Sequence, residues 1–278
     1  MTAVGPRPLA IAGGAFQVQH RALIGPEIDL GDLSAAAVPA PMLPLARSIW
    51  QERVRTEFRS IQIMTRFLTE VTGAGDPLDV YAIAADLVAD EVRHTELCAA
   101  VCRRLGVMPH LPEPVELVEP EAFLKSAMPE RALTTAISML AINETISNAL
   151  VADLLDRCDY EPIRRVLAAT LEDETTHGSF GWDYVGASLA RFDAGSISHW
   201  RAVAAHALAP HQSFAAQAAA RRSENGEDER ELARFGLLTP ERQAIVFERT
   251  MKTTIVPRLR ALGLLDPEPP DTSDRAPG

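Results

Sequence analysis

Apolar residues recur every three or four positions over most of the chain, which is the spacing of one face of an α-helix. Alternating apolar and polar runs, which would predict strands, are few. The pattern predicts four long helices and two further C-terminal helices, at about 45–72, 77–105, 130–157, 162–192, 196–221 and 240–263. We therefore expect an all-α fold, a four-helix bundle with additional C-terminal helices.

Glycine and proline interrupt this pattern at both ends and once in the middle. Residues 1–44 contain GPRPLAIAGG and VPAPMLP and predict an irregular N-terminal arm, while residues 264–278 predict a flexible tail. Residues 106–129 contain prolines at 109, 112, 114 and 120, so they predict a long crossover that is not helical throughout. The acidic segment 223–231 predicts a solvated loop.

Each of the four long helices places a glutamate in its apolar stripe, where the repeat would otherwise put an apolar residue. Two of these helices add a histidine three residues after the glutamate. Both of those sites read Asp-Glu-x-x-His, as DEVRH at 90–94 and DETTH at 173–177. The resulting set of candidate ligands is Glu57, Glu91, His94, Glu144, Glu174 and His177.

The glutamates also lie at equal distances from the turns that connect their helices. Glu57 and Glu91 are 34 residues apart, with their midpoint in the turn TGAGDP. Glu144 and Glu174 are 30 residues apart, with their midpoint in the turn CDYEP. If each pair folds into an antiparallel helical hairpin, its two carboxylates reach the same level, because both arms rise by about 1.5 Å per residue.

Four carboxylates in one apolar core repel each other, and each costs several kcal/mol to desolvate. Two divalent metal ions would neutralise their four negative charges, and two neutral imidazoles complete the ligand set without changing that balance. Glu-x-x-His puts both side chains on one helix face. Mixed carboxylate and imidazole ligands favour iron or manganese. The pattern therefore predicts two Fe ions, with Mn or a mixed Mn/Fe pair as alternatives.

The residues that precede the ligands repeat as well. Asp90 and Asp173 lie four positions before His94 and His177, so each is placed to accept a hydrogen bond from a ligand imidazole. Arg93 is placed to join the same network. Random order of this composition would give about 0.03 occurrences of Asp-Glu-x-x-His. Two are present, so chance does not account for the motif.

This arrangement resembles the ferritin-like di-iron carboxylate superfamily, in which two helices each give one Glu and two others each give Glu-x-x-His. The resemblance covers about residues 45–192 and implies that they form a metal-binding core. This core belongs to one helical domain at 45–263, which also contains the extra helices at 196–263. DEVRH is similar to the signature of bacterial multicomponent monooxygenase hydroxylases, but Thr176 stands where the second copy would have arginine. Arylamine N-oxygenases have a similar framework with a further histidine, and Thr170 occupies its place here.

The resemblance implies a non-haem di-iron oxidase or oxygenase that activates O2 to oxidise a small organic substrate. No iron–sulfur, flavin or dinucleotide motif is visible, so the electrons would come from an external donor or from the substrate. The extra helices predicted at 196–263 would obstruct the packing of bundles into a cage, so we expect a small oligomer, a homodimer. The alternatives are a ferroxidase-type iron-handling protein, a di-manganese catalase and a metal-free structural bundle. The remaining histidines, which lack a preceding glutamate, are expected to be structural or solvated: His20, His110, His199, His206 and His211.

The net charge of the chain is -11, which argues against nucleic acid and anionic membrane surfaces as partners. No segment approaches about 18 uninterrupted apolar residues, and no basic stretch precedes an apolar run near the N-terminus. From these features we expect a cytoplasmic protein without a membrane span.

Overall fold

The computed structural model describes residues 7–220 and 229–266. Over these ranges the chain is helical and contains no β-strand, so the all-α prediction is confirmed; the only pairing of extended backbone described is a single bridge between Pro8 and His110. The helices are α1 (Gly14–Ile24), α2 (Leu43–Ala74), α3 (Leu78–Arg104), α4 (Glu121–Lys125), α5 (Met128–Thr135), α6 (Glu144–Arg157), α7 (Glu161–Leu189), α8 (Ile197–Ala220), α9 (Glu229–Arg234), α10 (Pro240–Thr250) and α11 (Val256–Ala261).

Two π-helical segments interrupt helices that the apolar pattern predicts as continuous. The first, Ala136–Asn143, joins α5 to α6, and the second, Met251–Ile255, joins α10 to α11. A π-helical segment carries an extra residue in its turn and therefore shifts the side chains that follow it around the helix axis. The first segment ends immediately before Glu144, one of the candidate ligands.

The four-helix bundle consists of α2, α3, the unit formed by α5, the first π segment and α6, and α7. Helix α2 packs along α3, and α6 packs along α7, as the two predicted hairpins require. Helix α2 ends at Gly75, which has a φ of 73° and closes the turn in the left-handed region that favours glycine. Helices α8 and α10 pack against each other and against the outer side of the first π segment and α6.

The predicted irregular arm is partly helical. Residues 14–24 form α1, which packs against α3, although the glycines and prolines of this region favour irregular structure. The predicted crossover contains the short helix α4, and α5 begins at Met128. At the predicted tail, Leu264 is fully buried, whereas residues 267–278 lie outside the described ranges. The predicted loop at 223–231 also lies largely outside them, and its last residues begin α9.

The bundle has two apolar clusters that are separated by the candidate ligands. One cluster includes Met64 of α2 and Leu87 of α3, and the other includes Val54 of α2 and Leu97 of α3. On α7 the boundary falls between Leu167 and Trp182. The polar side chains therefore occupy a layer in the middle of the bundle, with apolar packing above and below. No described helix is long and apolar enough to cross a membrane.

Candidate metal centre

Helices α3 and α7 run antiparallel through this layer and supply the two Glu-x-x-His pairs. Glu91, His94, Glu174 and His177 are each at most 3% exposed. Ionisable side chains are rarely buried to this degree unless they are paired or bind a metal. Because the glutamate and histidine of each pair lie three residues apart, both point from the same helix face into the layer.

The six predicted ligands form two overlapping groups. Glu91, Glu144, Glu174 and His177 each offer one ligand atom, and these atoms all lie within 4.8 Å of one another. Glu57, Glu91 and His94 form a second group that meets the same limit. Glu91 belongs to both groups. The structure thus brings together all six side chains in an arrangement that can hold metal ions, with Glu91 placed between the groups.

Both imidazoles present Nδ1 to the carboxylates. Nδ1 of His94 lies 3.6 Å from Oε2 of Glu91 and 3.3 Å from Oε1 of Glu174. Nδ1 of His177 lies 3.4 Å from Oε2 of Glu174 and 3.8 Å from Oε1 of Glu91. The two rings are 5.9 Å apart between centroids. The nitrogen and oxygen donors of the two helices therefore converge on a common space.

Several of these donor atoms lack a hydrogen-bond partner. Among the described residues, nothing pairs with Nδ1 of either His94 or His177, with Oε2 of Glu91 or with Oε2 of Glu174, and all four atoms are buried. A buried polar atom left unpaired costs about 1–3 kcal/mol. Coordination of a cation would satisfy all four atoms at once, so this donor set fits a metal centre.

The second nitrogen of each ring is held by an aspartate from the other helix. Nε2 of His177 lies 3.0 Å from Oδ2 of Asp90, and Nε2 of His94 lies 3.2 Å from Oδ2 of Asp173. The spacing along the sequence relates each aspartate to the histidine of its own helix, but antiparallel packing pairs it with the opposite one. When Nε2 donates to the carboxylate, Nδ1 is left with its lone pair directed at the metal layer.

Arg93 joins this network on one side only. Its Nη1 lies 2.9 Å from both carboxylate oxygens of Asp173, so Asp173 receives Arg93 and His94 together. Thr176 stands at the corresponding position of the second motif and is exposed. The aspartate that contacts His94 therefore also binds an arginine, whereas the aspartate that contacts His177 does not have this partner from the second motif. The two sequence motifs repeat, but their hydrogen bonds differ.

The carboxyl groups differ in how readily they ionise without a metal. Part of Glu57 remains accessible to water, but its carboxyl group lies deep among protein atoms, and this burial, with the nearby charge of Glu91, raises its pKa to about 8. Burial and neighbouring carboxylates also raise the pKa values of Glu91 and Glu144. Burial opposes ionisation of Glu174 too, but the adjacent side chains of His177, His94 and Glu144 outweigh burial and lower the pKa of Glu174.

The histidines hold protons more tightly than usual in the metal-free protein. Burial opposes the charged form of His177, but the hydrogen bond to Asp90 and the nearby carboxylate of Glu174 outweigh burial and raise its pKa to about 9. Burial is again the largest effect on His94, and Asp173, Glu174 and Glu91 together overcome it and raise the pKa of His94 well above its usual value. Protons thus provide part of the charge balance that metal ions would provide.

This charge balance predicts proton release on metal binding. At pH 7 Glu57 and His177, with pKa values of about 8 and about 9, carry protons that a cation must displace. Affinity should therefore rise as pH increases from 7 to 9, by about tenfold per pH unit for each proton released. Calorimetric titration with Zn²⁺, which is redox-inert, in two buffers of different ionisation enthalpy will count the protons. Binding without proton release at pH 7 would contradict these protonation states.

The hydrogen bond between Asp90 and Nε2 of His177 gives a second prediction. Asp90→Asn removes the charge that holds Nε2 of His177 while keeping the shape of the side chain, and loss of such a partner weakens metal binding by about 10–100-fold. Asp86→Asn is the matched control, because Asp86 is exposed one turn earlier on α3. Equal Mn²⁺ affinities in the two variants, measured by competition with a chelator, would show that Asp90 does not support the site.

The first π segment and α7 approach each other closely beside the site. Gly181 of α7 packs against the backbone of Leu140 and Ala141, where any side chain would overlap the peptide group. Asn148 of α6 donates a hydrogen bond of 2.7 Å to the carbonyl oxygen of Glu174. These contacts fix Glu144 relative to Glu174. They could not be predicted from the helical repeat, because the repeat does not register π turns.

The comparisons with known proteins are negative. No family model matched the chain, no curated protein matched it, and no solved structure matched it. The metal-binding interpretation of the cluster therefore rests on its geometry and chemistry.

The residues predicted to lie outside the site do so in the described part of the chain. None of the other histidines belongs to either ligand group. His20 pairs with Glu96, and Nε2 of His211 lies 2.6 Å from Oδ1 of Asn143, the residue before Glu144. Thr170 donates its hydroxyl to the carbonyl of Val166 in its own helix. The contact between His211 and Asn143 links the extra helix α8 to the ligand segment, and no pattern in the sequence predicts this contact.

Proposed function

We propose that this chain is a di-metal oxidoreductase that activates O2 to oxidise a small organic substrate. The observation that carries the proposal is the pair of ligand groups that share Glu91, with His94 in one and His177 in the other. Carboxylates and imidazoles in this combination suit iron or manganese. Iron is the proposed metal, and the same donors would also accept manganese or a mixed Mn/Fe pair.

The charge of the layer supports two ions rather than one. Four glutamates carry four negative charges when ionised, and a single divalent cation would leave two of these charges uncompensated in an apolar interior. Such uncompensated charges cost several kcal/mol each. Two divalent cations balance the set, and the two neutral imidazoles contribute donor atoms without altering the balance.

The chain's own residues would hold and tune such a pair. When bound, two ferrous ions would supply the electrons with which O2 is reduced. Glu91 would contact both metal positions, and Asp90 and Asp173 would keep the Nε2 protons of the histidines away from the metals. The two apolar clusters on either side of the layer limit water access, which protects a reactive centre from side reactions.

An external electron donor belongs to this proposal, because the chain shows no motif for a second redox cofactor. We also propose a homodimer. Helices α8 and α10 cover the outer side of the first π segment and α6, and a surface covered in this way is not free for the packing of bundles into a large cage. This arrangement favours an oxygenase over an iron store.

Oxygen titration tests the proposal. Anaerobic protein loaded with Fe²⁺ should consume O2 in proportion to its sites, stop, and resume only after it is reduced again. A ferroxidase would pass its iron onward and continue to oxidise many equivalents of added Fe²⁺. Sustained oxidation of excess iron, together with elution as a large shell in size-exclusion chromatography, would replace the oxygenase proposal with iron handling.

A further inference from the structure

A cavity of about 290 Å³ lies between the N-terminal arm and the bundle, and the metal-site residues do not line it. Its floor is formed by α2 and α3, and its roof by residues 9–17 of the arm. The lining is mostly apolar and includes Phe16, Phe58 and Ile61. Phe16 is itself 73% exposed, so the cavity opens to solvent beside it. Concave, largely apolar spaces of this kind are the usual sites of small-molecule binding.

Hydrogen bonds hold both ends of the segment that forms the roof. At one end the backbone nitrogen of Leu9 donates to the carbonyl oxygen of Pro109 at 2.8 Å. At the other end Arg21 donates from Nη1 to Oε2 of Glu96 at 2.8 Å, and His20 contacts the same oxygen. Between these points the chain passes over the cavity and turns at Gly13 and Gly14, whose φ values of 75° and 57° are in the left-handed region. The arm is thereby held over the cavity.

The floor of the cavity lies beside the metal layer. Ile61 follows Glu57 by four residues on α2, and Thr95 follows Glu91 by four residues on α3, so each lies one helical turn from a candidate ligand on a similar face. Because α2 and α3 are antiparallel, these two residues lie on opposite sides of the ligand level. Val92, directly after Glu91, also lines the cavity. The cavity therefore spans the height at which the metals would lie.

Thr95 provides an independent indication of a ligand. Its side chain lines the cavity and is only 4% exposed, and its hydroxyl has no hydrogen-bond partner within the described ranges. Two other buried helical threonines, Thr170 and Thr250, donate to the carbonyl four residues earlier. A buried hydroxyl that makes no such bond costs about 1–3 kcal/mol. A polar group on a bound molecule would satisfy it.

The size and charge of the cavity restrict its occupant. A cavity of about 150 Å³ accommodates benzene, so a space about twice as large suits a molecule of roughly ten to twelve heavy atoms. Glu96, at the polar end, is already neutralised by Arg21. Arg103 also lines the cavity, but its side chain is exposed, so water and salt screen its charge. We infer that the cavity is the substrate site, and that the substrate is a small, uncharged, mostly apolar molecule with one hydroxyl or aromatic amine that pairs with Thr95. That it is a substrate rests on the proposed function.

Binding to the metal-free protein tests the ligand class without any dependence on catalysis. The probe is 2-naphthol, which is uncharged at pH 7 and fluorescent, and naphthalene is the matched compound without a hydroxyl. The chain should bind 2-naphthol at least about fivefold more tightly than naphthalene, which is the value of one neutral hydrogen bond. Thr95→Val keeps the shape of the side chain and should abolish that preference without lowering the melting temperature. A preference that survives in Thr95→Val would overturn the assignment of Thr95.

A blocking variant tests the location. Val92→Phe should fill the cavity and weaken 2-naphthol binding by more than about tenfold, because overpacked cavities exclude ligands. Leu78→Phe is the control on the same helix, since Leu78 is 81% exposed and does not line the cavity. Equal binding in both variants would place the ligand elsewhere. If the anion 2-naphthoate bound more tightly than 2-naphthol, and Arg103→Gln removed that preference, the inference of an uncharged ligand would be overturned.

A spectroscopic measurement tests whether the cavity serves the metals. In protein loaded with Co²⁺, 2-naphthol should shift the visible absorption bands of the metal, and Val92→Phe should remove that shift. Binding of 2-naphthol without any spectral change would show a ligand site that is not the substrate site. If the chain bound no Co²⁺, the proposed function would fail, whereas the naphthol affinities would still decide whether the cavity takes an uncharged ligand at Thr95.

Discussion

Replacement of Glu91 by alanine is expected to remove both metal ions from the chain. Glu91 is the one side chain common to the two ligand groups. Loss of an outer hydrogen-bond partner alone weakens metal sites by about 10–100-fold, so loss of a shared ligand should cost more. Metal analysis after expression in iron-replete medium should find about two ions per chain in the parent protein and less than about a tenth of that in Glu91→Ala.

The same substitution should not unfold the metal-free protein. Glu91 is 1% exposed, and burial raises its pKa, so the ionised carboxylate is disfavoured in the empty site. Removing it relieves a desolvation cost at the same time as it leaves a small gap. The metal-free variant should therefore melt within a few degrees of the metal-free parent, whereas the metal-loaded parent should melt higher by mass action.

Three further variants define the ligand assignment. His94→Ala and Glu174→Ala should each sharply reduce the metal content, because each removes a buried donor that has an unpartnered atom in the layer. His110→Ala should retain the parent content, since His110 belongs to neither group. Equal metal content in all three variants, with their folding verified by circular dichroism, would refute the proposed ligand set.

The positions of the long helices could be predicted closely from the apolar repeat. The repeat predicts helices at about 45–72 and 77–105, and the structure has Leu43–Ala74 and Leu78–Arg104. The prediction works because these helices are amphipathic and their apolar faces pack in one bundle. Convergence of the six polar side chains could be predicted for the same reason. A glutamate within an apolar stripe has to face the core together with its apolar neighbours.

Other features depend on contacts between distant segments, which a local pattern does not contain. Helix α1 has no buried residue, and it is held against α3 by the ion pair of Arg21 with Glu96 and by the contact of His20 with the same carboxylate. The pairing of Asp90 with His177 depends on the register between α3 and α7. Local spacing identified both aspartates, but only antiparallel packing determines which histidine each one contacts.

The apolar repeat does not predict the first π segment, for a related reason. Residues 136–143 are almost uniformly apolar, so a helix with an extra residue in one turn buries the same side chains as a regular one. The difference lies in the direction of Glu144 and in the close approach of α7. Gly181 was the available signal, because glycine inside a long helix is unfavourable by about 1 kcal/mol unless a neighbouring backbone requires the space.

Gly181→Ala is expected to produce the largest loss of stability among the single substitutions considered. The added methyl group would overlap the carbonyl of Leu140 and lie 2.8 Å from the backbone nitrogen of Ala141. Backbone atoms cannot rotate aside as a side chain can, so α7 and the π segment must separate. Overpacking of this kind costs about 1–3 kcal/mol or more. Since about 1 kcal/mol shifts the melting temperature of a large domain by 2–4 °C, thermal denaturation should show a decrease of several degrees.

Gly186→Ala is the matched control, because it makes the same chemical change five residues later in the same helix. There the added methyl group would meet only the side chain of Leu262, at 3.4 Å, which is an ordinary contact. Alanine is the better helix former by about 1 kcal/mol, so this variant should be neutral or more stable. The two substitutions should also differ in metal content, because only Gly181→Ala displaces the segment that carries Glu144. Equal melting temperatures in the two variants would mean that α7 and the π segment do not approach as closely as described. Equal metal content would mean that the position of Glu144 does not depend on this contact.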